Sequence, residues 1–142
     1  MQVDEQVKQA HQVAVDHNKN SYAPYSKLHV SAALVIKGQA LPVAGVNVEN
    51  VSYGATICAE RSAVLSAQSQ FGDFEVDFIV VISDIDGPAI SPCGMCLQVL
   101  IEFCPGDTPV YLGDLKGVTQ MRRLEEFLPH AFTKAELLTT RP

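Results

Sequence analysis

The sequence predicts a layered α/β domain, in which helices pack on the faces of a β-sheet. Two observations carry this prediction. Apolar residues recur at helical spacing near the start of the chain, and a hairpin pattern is followed by β-branched runs that alternate with helical segments. The 142 residues, of which 47% are hydrophobic, suffice for one core, so we expect a single domain over residues 1–142.

Each predicted element follows from its local pattern. Gly38 marks the turn of the hairpin. Ala59, Ala63 and Ala67 form a stripe of small residues, which lets a helix press closely on a sheet. The predicted elements are a helix at 3–18, strands at 28–36 and 41–48, a helix at 58–70, a strand at 76–83, a helix at 93–103, strands at 109–112 and 118–121, and short helices at 123–127 and 134–138.

Composition narrows the class of ligand. The net charge of −6 gives no electrostatic footprint for a nucleic-acid backbone or an anionic membrane, so we expect neither partner and favour a small neutral substrate. No apolar run is long enough to span a bilayer, and the first residues lack the basic and apolar regions of a signal peptide. We therefore expect a cytoplasmic protein with reduced cysteines.

The stretch from Thr56 to Ala63 is typical of a helix start, with Thr56 as the expected N-cap. Cys58 then faces unpaired backbone N–H groups and the positive end of the helix dipole, which favour its thiolate. Glu60, two residues further on, is close enough to serve whatever that thiolate holds.

A second helix start carries two more cysteines, Cys93 and Cys96. Taken alone, their C-x-x-C spacing is compatible with a thioredoxin-like redox site or with metal binding. Cys58 favours the metal, because a redox pair needs no third thiolate followed by a carboxylate. Cys104 lies eight residues beyond Cys96, about 12 Å along a helix axis, so we expect it to be a buried apolar residue.

Three thiolates with an open fourth position are the donor set of a catalytic zinc site. The metal in such a site lowers the pKa of a bound water to about 7. A structural zinc would require four protein ligands. We expect Arg61 to hydrogen-bond the sulfurs and offset their negative charge. Glu60 is the expected proton carrier for a reaction of this water.

Asn47 and Glu49 lie on the same side of the second predicted strand, because side chains alternate along a strand. Spacing alone leaves two interpretations open. They are either the polar end of a strand entering a loop or a pair of binding groups.

The order C-A-E and then P-C-x-x-C resembles that of zinc-dependent nucleobase deaminases with cysteine as the first ligand. Over roughly 22–138, the chain resembles the small, all-cysteine cytidine deaminases, a family to which the blasticidin S deaminases are related. The matching pieces are Tyr22-Ala23-Pro24-Tyr25-Ser26, Asn47-Val48-Glu49-Asn50, Tyr53-Gly54, Thr56–Ala63, Ser91–Cys96 and Phe132.

The resemblance implies a homotetrameric α/β/α sandwich with a mixed, mainly five-stranded sheet and active sites shared between subunits. It implies a hydrolase of pyrimidine salvage that converts cytidine and 2′-deoxycytidine to the uridine nucleosides with one zinc per chain. Asn47 and Glu49 would bind the 3′-hydroxyl, and Phe132 would stack on the base. The implied site residues are Cys58, Cys93 and Cys96 for zinc, Glu60 for catalysis, Arg61 beside the sulfurs, and Asn47, Glu49, Tyr53, Ala59, Phe132 and Leu28 for substrate.

Three positions depart from the family pattern. Leu28 stands where a phenylalanine is usual, Ser31 where a glycine is usual, and Leu97 where an arginine is usual. These departures concern the pyrimidine pocket and the subunit contacts. They keep open a deaminase of a modified cytosine nucleoside or antibiotic, as in the blasticidin S enzymes. A polynucleotide-editing deaminase fits the acidic composition poorly, and a non-catalytic zinc fold would not require Glu60.

Overall fold

Five strands form one mixed sheet in the computed structural model, which describes residues 1–139. In the order β2-β1-β3-β4-β5, β1 is antiparallel to β2 and β3, β3 is parallel to β4, and β4 is antiparallel to β5. The strands are β1 (Val30–Ile36), β2 (Val43–Val46), β3 (Val76–Ser83), β4 (Pro109–Asp114) and β5 (Val118–Arg123).

Helices cover both faces of this sheet. The helices are α1 (Glu5–Asn18), α2 (Ala59–Phe71), α3 (Gly94–Phe103), α4 (Leu124–Phe127) and α5 (Lys134–Thr139), with a 3-10 turn at Tyr53–Ala55. Among residues 1–139, none of the helices has both the length and the apolar character that a membrane crossing requires.

Two hydrophobic clusters make the three layers. On one face, α1 buries an apolar stripe against alternate residues of β1 and β3, such as Ala33 and Val80. On the other face, α2 and α3 pack on the residues between them, such as Leu34 and Ile79. The predicted α/β/α sandwich with a mixed five-stranded sheet is therefore confirmed.

Gly45 of β2 lets α2 approach the sheet closely. A Cβ added at Gly45 would lie 2.3 Å from the backbone nitrogen of Ala63 and 2.4 Å from the carbonyl oxygen of Ala59. Ala59, Ala63 and Ala67 are fully buried on the facing side of the helix, as their spacing predicts. The contact fixes the position of the N-terminal turn of α2.

The topology brings the N-termini of α2 and α3 together. Because β1 lies between β2 and β3 and is antiparallel to both, β2, β3 and β4 run in the same direction. Helix α2 connects β2 to β3, and α3 connects β3 to β4. Both helices therefore start beyond the carboxyl ends of these strands, where α/β sheets bind ligands.

Three predicted boundaries are wrong at this end of the sheet. The first strand begins at Val30 instead of Leu28, because the Val30 amide donates to the Asn47 side chain (2.9 Å). The second strand ends at Val46 instead of Val48. Thr56 is not the N-cap of α2, because the chain is still extended there and Ile57 exchanges two backbone hydrogen bonds with Val48. The N-cap is Cys58, and the helix starts after it.

Candidate active site

Three cysteines meet at the N-terminal ends of α2 and α3. Cys58 and Cys93 occupy the N-cap positions of the two helices, and Cys96 lies in the first turn of α3. All three Sγ atoms lie within 4.8 Å of one another. The unpaired N–H groups and the positive ends of both helix dipoles favour thiolates at this position.

The sulfur spacing fits a tetrahedral metal ion. A tetrahedral zinc with Zn–S bonds of about 2.3 Å holds its sulfurs about 3.8 Å apart, and the Sγ atoms of Cys58 and Cys93 are 3.8 Å apart. None of the three is in a disulfide. The group can hold one zinc ion and leave a fourth position for water or substrate. Cys104 is buried elsewhere, and burial raises the pKa of its thiol to about 12.

Arg61 contacts two of the sulfurs, in the place where the sequence predicts it. Its Nη2 donates to Cys58 Sγ at 3.3 Å, and its Nε donates to Cys96 Sγ at 3.4 Å. The Cys96 thiol and, after it, the Arg61 guanidinium lower the pKa of Cys58 to about 5. The site therefore has a fixed positive charge beside the sulfurs, which favours the thiolate form of Cys58.

Glu60 lies in the first turn of α2, and its side chain lines the same cavity as Cys58. Only 4% of its surface is exposed. Burial is the largest cause that raises the pKa of its carboxyl, to about 7, and the negative charge of Cys58 acts in the same direction. A carboxyl with this pKa can take up and release a proton near neutral pH.

The cavity has a volume of about 320 Å³ and opens at the carboxyl ends of β2 and β3. Leu28 and Ala59, two of the residues predicted to bind substrate, line it together with residues that the sequence did not single out. Ser83 is the clearest of these: it is a buried serine that ends the apolar strand β3, and that contrast was a signal in the sequence. The other such residues are Ser26, Val30, Thr56, Val81, Ile82, Ile90 and Ser91.

Asn47 and Glu49 also line the cavity, but most of their hydrogen-bonding groups contact the protein. Asn47 Oδ1 accepts from the Ser21 hydroxyl and the Val30 amide, and its Nδ2 donates to the Leu28 carbonyl oxygen at 2.8 Å. Glu49 accepts hydrogen bonds from the loop before β1. The structure thus places both predicted residues at the cavity, and each side chain also hydrogen-bonds neighbouring segments of the protein.

Tyr53 and Phe132 do not line this cavity in their own chain. Tyr53 is 77% exposed and lines a neighbouring hollow together with Tyr25, Ser26, Glu49 and Thr56. Phe132 is 59% exposed, and its carbonyl oxygen accepts a hydrogen bond from Gln98. Neither of these two predicted substrate-binding residues lines the cavity of its own chain.

Comparison with known proteins agrees with this geometry. Residues 4–112 match the family model described as the cytidine and deoxycytidylate deaminase zinc-binding region. A cytidine deaminase of Halalkalibacterium halodurans is 44% identical over 124 residues, which cover 87% of this chain and 92% of that protein. A blasticidin-S deaminase of Bacillus cereus is 30% identical over 116 residues, 77% of this chain and 80% of that protein.

The fold comparison gives the same result. The crystal structure of cytidine deaminase from Burkholderia pseudomallei matches with a TM-score of 0.76 and 37% identity, covering 92% of this chain and 100% of that chain. Since the family model spans most of the sequence and the three cysteines meet as a zinc site requires, the chain belongs to the cytidine and deoxycytidylate deaminase zinc-binding family.

Proposed function

We propose that the protein catalyses the hydrolytic deamination of cytidine and 2′-deoxycytidine to uridine and 2′-deoxyuridine. The observation that carries this proposal is the convergence of three cysteine sulfurs and the buried Glu60 carboxyl on one cavity. The similarity to a cytidine deaminase at 44% identity over most of both chains supports the choice of substrate.

The reaction consumes one water and releases one ammonia. A C–O bond forms at C4 of the pyrimidine, and the bond from C4 to the amino nitrogen breaks. Zinc, when held by Cys58, Cys93 and Cys96, supplies a Lewis acid that lowers the pKa of a water molecule to near neutral. Arg61 hydrogen-bonds two of the sulfurs and offsets part of their negative charge, because three thiolates would otherwise overcompensate the charge of a divalent ion.

Glu60 moves the protons. Its carboxylate accepts one proton from the attacking water and passes it to N3 of the ring, and it then carries the second proton, from the hydroxyl formed at C4, to the departing amine. Burial excludes competing solvent from the carboxyl and keeps its pKa close to 7, which suits both directions of transfer.

Asn47 and Glu49 together have the free groups that one hydroxyl requires. The Asn47 amide has two N–H groups and uses one for Leu28, so one donor remains. The Glu49 carboxylate accepts three hydrogen bonds out of about four lone-pair positions, so one acceptor remains, on Oε2. A hydroxyl both donates and accepts, and we assign this pair to the 3′-hydroxyl of the sugar.

The cavity size and the charge of the chain favour a single nucleoside over a polynucleotide. A volume of about 320 Å³ lies at the lower end of the range of small-molecule sites. The net charge of −6 disfavours a phosphate backbone and an anionic membrane. The free cysteines suit a reducing compartment, and we place this single-domain enzyme in the cytoplasm.

We assign Tyr53 and Phe132 to the active site of a neighbouring subunit in a homotetramer. Both are large, exposed and outside the cavity of their own chain. Replacing Phe132 with Ala should reduce cytidine turnover, although Phe132 does not line the cavity. Light scattering combined with size exclusion gives the oligomeric state, and a fully active monomer would refute the shared site.

A deaminase of a modified cytosine nucleoside is the second candidate. Leu28 lines the cavity in a position where it shapes the pyrimidine pocket, and the blasticidin-S deaminase of Bacillus cereus is among the relatives. The decisive assay compares kcat/KM for cytidine, 2′-deoxycytidine, N4- and C5-substituted cytidines and blasticidin S by ultraviolet absorbance. The proposal requires cytidine or 2′-deoxycytidine to be the preferred substrate, and a preference for blasticidin S would replace it.

A further inference from the structure

The loop before β1 holds the Glu49 carboxylate from three directions. The backbone amides of Tyr25 and Ser26 donate to Glu49 Oε1 at 2.9 and 3.1 Å. The Ser26 hydroxyl donates to the other oxygen, Oε2, at 2.5 Å. Oε2 is also the oxygen that keeps a free acceptor position for substrate.

The Ser26 hydroxyl is itself oriented by the turn that follows it. Lys27 adopts a left-handed backbone conformation with φ of 60°, which is uncommon for a residue with a side chain. Its amide donates to the Ala23 carbonyl oxygen, and the next amide, of Leu28, donates to Ser26 Oγ at 3.0 Å. With that lone pair engaged, the single hydroxyl proton points to Glu49.

Neutral donors therefore fix this carboxylate. Within residues 1–139, none of the ion pairs involves Glu49. The bond from the Ser26 hydroxyl is the largest cause that lowers the pKa of Glu49. Removal of that hydroxyl leaves Oε1 bound to two amides and frees the carboxylate to rotate about its last torsion.

We infer that Ser26 is a positioning residue for sugar recognition: its hydroxyl holds Glu49 with the free acceptor position of Oε2 towards the cavity. This inference rests on the proposed role of Glu49 towards the 3′-hydroxyl. Ser26 contributes to selectivity between nucleosides that have and lack this hydroxyl, and it takes no part in the proton transfers at C4.

The test compares kcat/KM for cytidine and for 3′-deoxycytidine in four proteins: the parent, Ser26→Ala, Ser26→Thr and Glu49→Gln. A fifth, Ser69→Ala, is the matched control, because Ser69 is an exposed serine on α2. The parent should strongly prefer cytidine. Ser26→Ala should lose about tenfold or more of that preference, as expected for one hydrogen bond to a charged group, with zinc content unchanged.

The loss should fall on cytidine, and the rate on 3′-deoxycytidine should stay within about twofold of the parent. Ser26→Thr restores the hydroxyl and should retain the preference, and Ser69→Ala should match the parent on both substrates. A carbon-detected NMR titration should show the Glu49 pKa higher in Ser26→Ala than in the parent. If Ser26 acted only in the folding of the loop, Ser26→Ala would lower kcat/KM for cytidine and for 3′-deoxycytidine to the same extent.

The possible outcomes distinguish a failure of the inference about Ser26 from a failure of the proposed role of Glu49. If the parent and Glu49→Gln differ in preference but Ser26→Ala keeps the full preference for cytidine, the inference about Ser26 is wrong and the role of Glu49 stands. Equal losses on both substrates in Ser26→Ala also overturn it. If the parent does not distinguish the two nucleosides, the assignment of Glu49 to the 3′-hydroxyl fails, and the inference fails with it.

Discussion

Replacement of Gly45 by Ala tests how the fold positions the active site. The added Cβ would lie 2.3 Å from the Ala63 nitrogen, whereas ordinary van der Waals contact begins at 3.4 Å. Helix α2 and strand β2 must therefore separate by about 1 Å, and both neighbours are backbone atoms that cannot rotate away. Overpacking of this kind costs about 1–3 kcal/mol, and more where the backbone is rigid.

The shift should reach the chemistry, because Cys58 and Glu60 lie at the N-terminal end of this helix. A displacement of about 1 Å costs roughly 10²-fold in rate. We expect Gly45→Ala to lose about 3 kcal/mol in urea unfolding and about 10²-fold in kcat for cytidine. Gly117→Ala is the control, since a Cβ there meets no atom within 4 Å. A Gly45→Ala protein with the stability and turnover of Gly117→Ala would refute the close-approach account.

Two further predictions concern the sulfurs. Cys58→Ala should lose zinc and activity, whereas Cys104→Ala should keep both, as elemental analysis and the rate will show. In the parent, Cys104 should resist thiol labelling from pH 7 to 9, measured by mass spectrometry, because its pKa of about 12 keeps it protonated. Arg61→Gln should weaken zinc affinity or activity by about 10–100-fold. Arg123→Gln, which removes an exposed arginine whose ion pairs are with Glu125 and Glu126, should not. Equal zinc affinities and rates in the two variants would contradict the role of Arg61.

Local signals were sufficient to predict the metal group. Cysteines next to helix starts are visible in sequence, and β-α-β connections, which are right-handed as a rule, bring such starts to the same edge of the sheet. The cap of α2 was not predictable in this way. Thr56 has the preferred N-cap side chain, but the backbone bridge between Ile57 and Val48 extends the chain through that position and moves the start to Cys58.

The polar side of the cavity depends on contacts between distant parts of the chain. Ser26 and Glu49 are 23 positions apart, and no local pattern joins them. The departures from the family pattern acquire structural reasons in the same way. Ser31 is buried and donates to the Ala14 carbonyl oxygen at 2.7 Å, which ties α1 to β1, and Leu97 is buried in the core beside α2.

The exposed aromatic residues show the limit of prediction from one chain. Sequence resemblance assigns Tyr53 and Phe132 to substrate, and the chain on its own leaves both at the surface. A residue that completes the site of a neighbouring subunit contacts groups absent from its own chain, so neither the sequence pattern nor the fold of one chain brings it to the base. The oligomeric state and the Phe132→Ala rate are the measurements that decide this part of the site.

The central claim is that the buried Glu60 carboxyl transfers the protons, and Glu60→Gln tests it most directly. Glutamine keeps the shape and can still hydrogen-bond water, so zinc content and the affinity for uridine should stay close to those of the parent. It cannot accept or pass on a proton, and since one group serves several transfers, turnover of cytidine should fall by more than the ~10²–10⁴-fold of a single acid–base contribution. A zinc-loaded Glu60→Gln protein that turns over cytidine within tenfold of the parent would contradict the account.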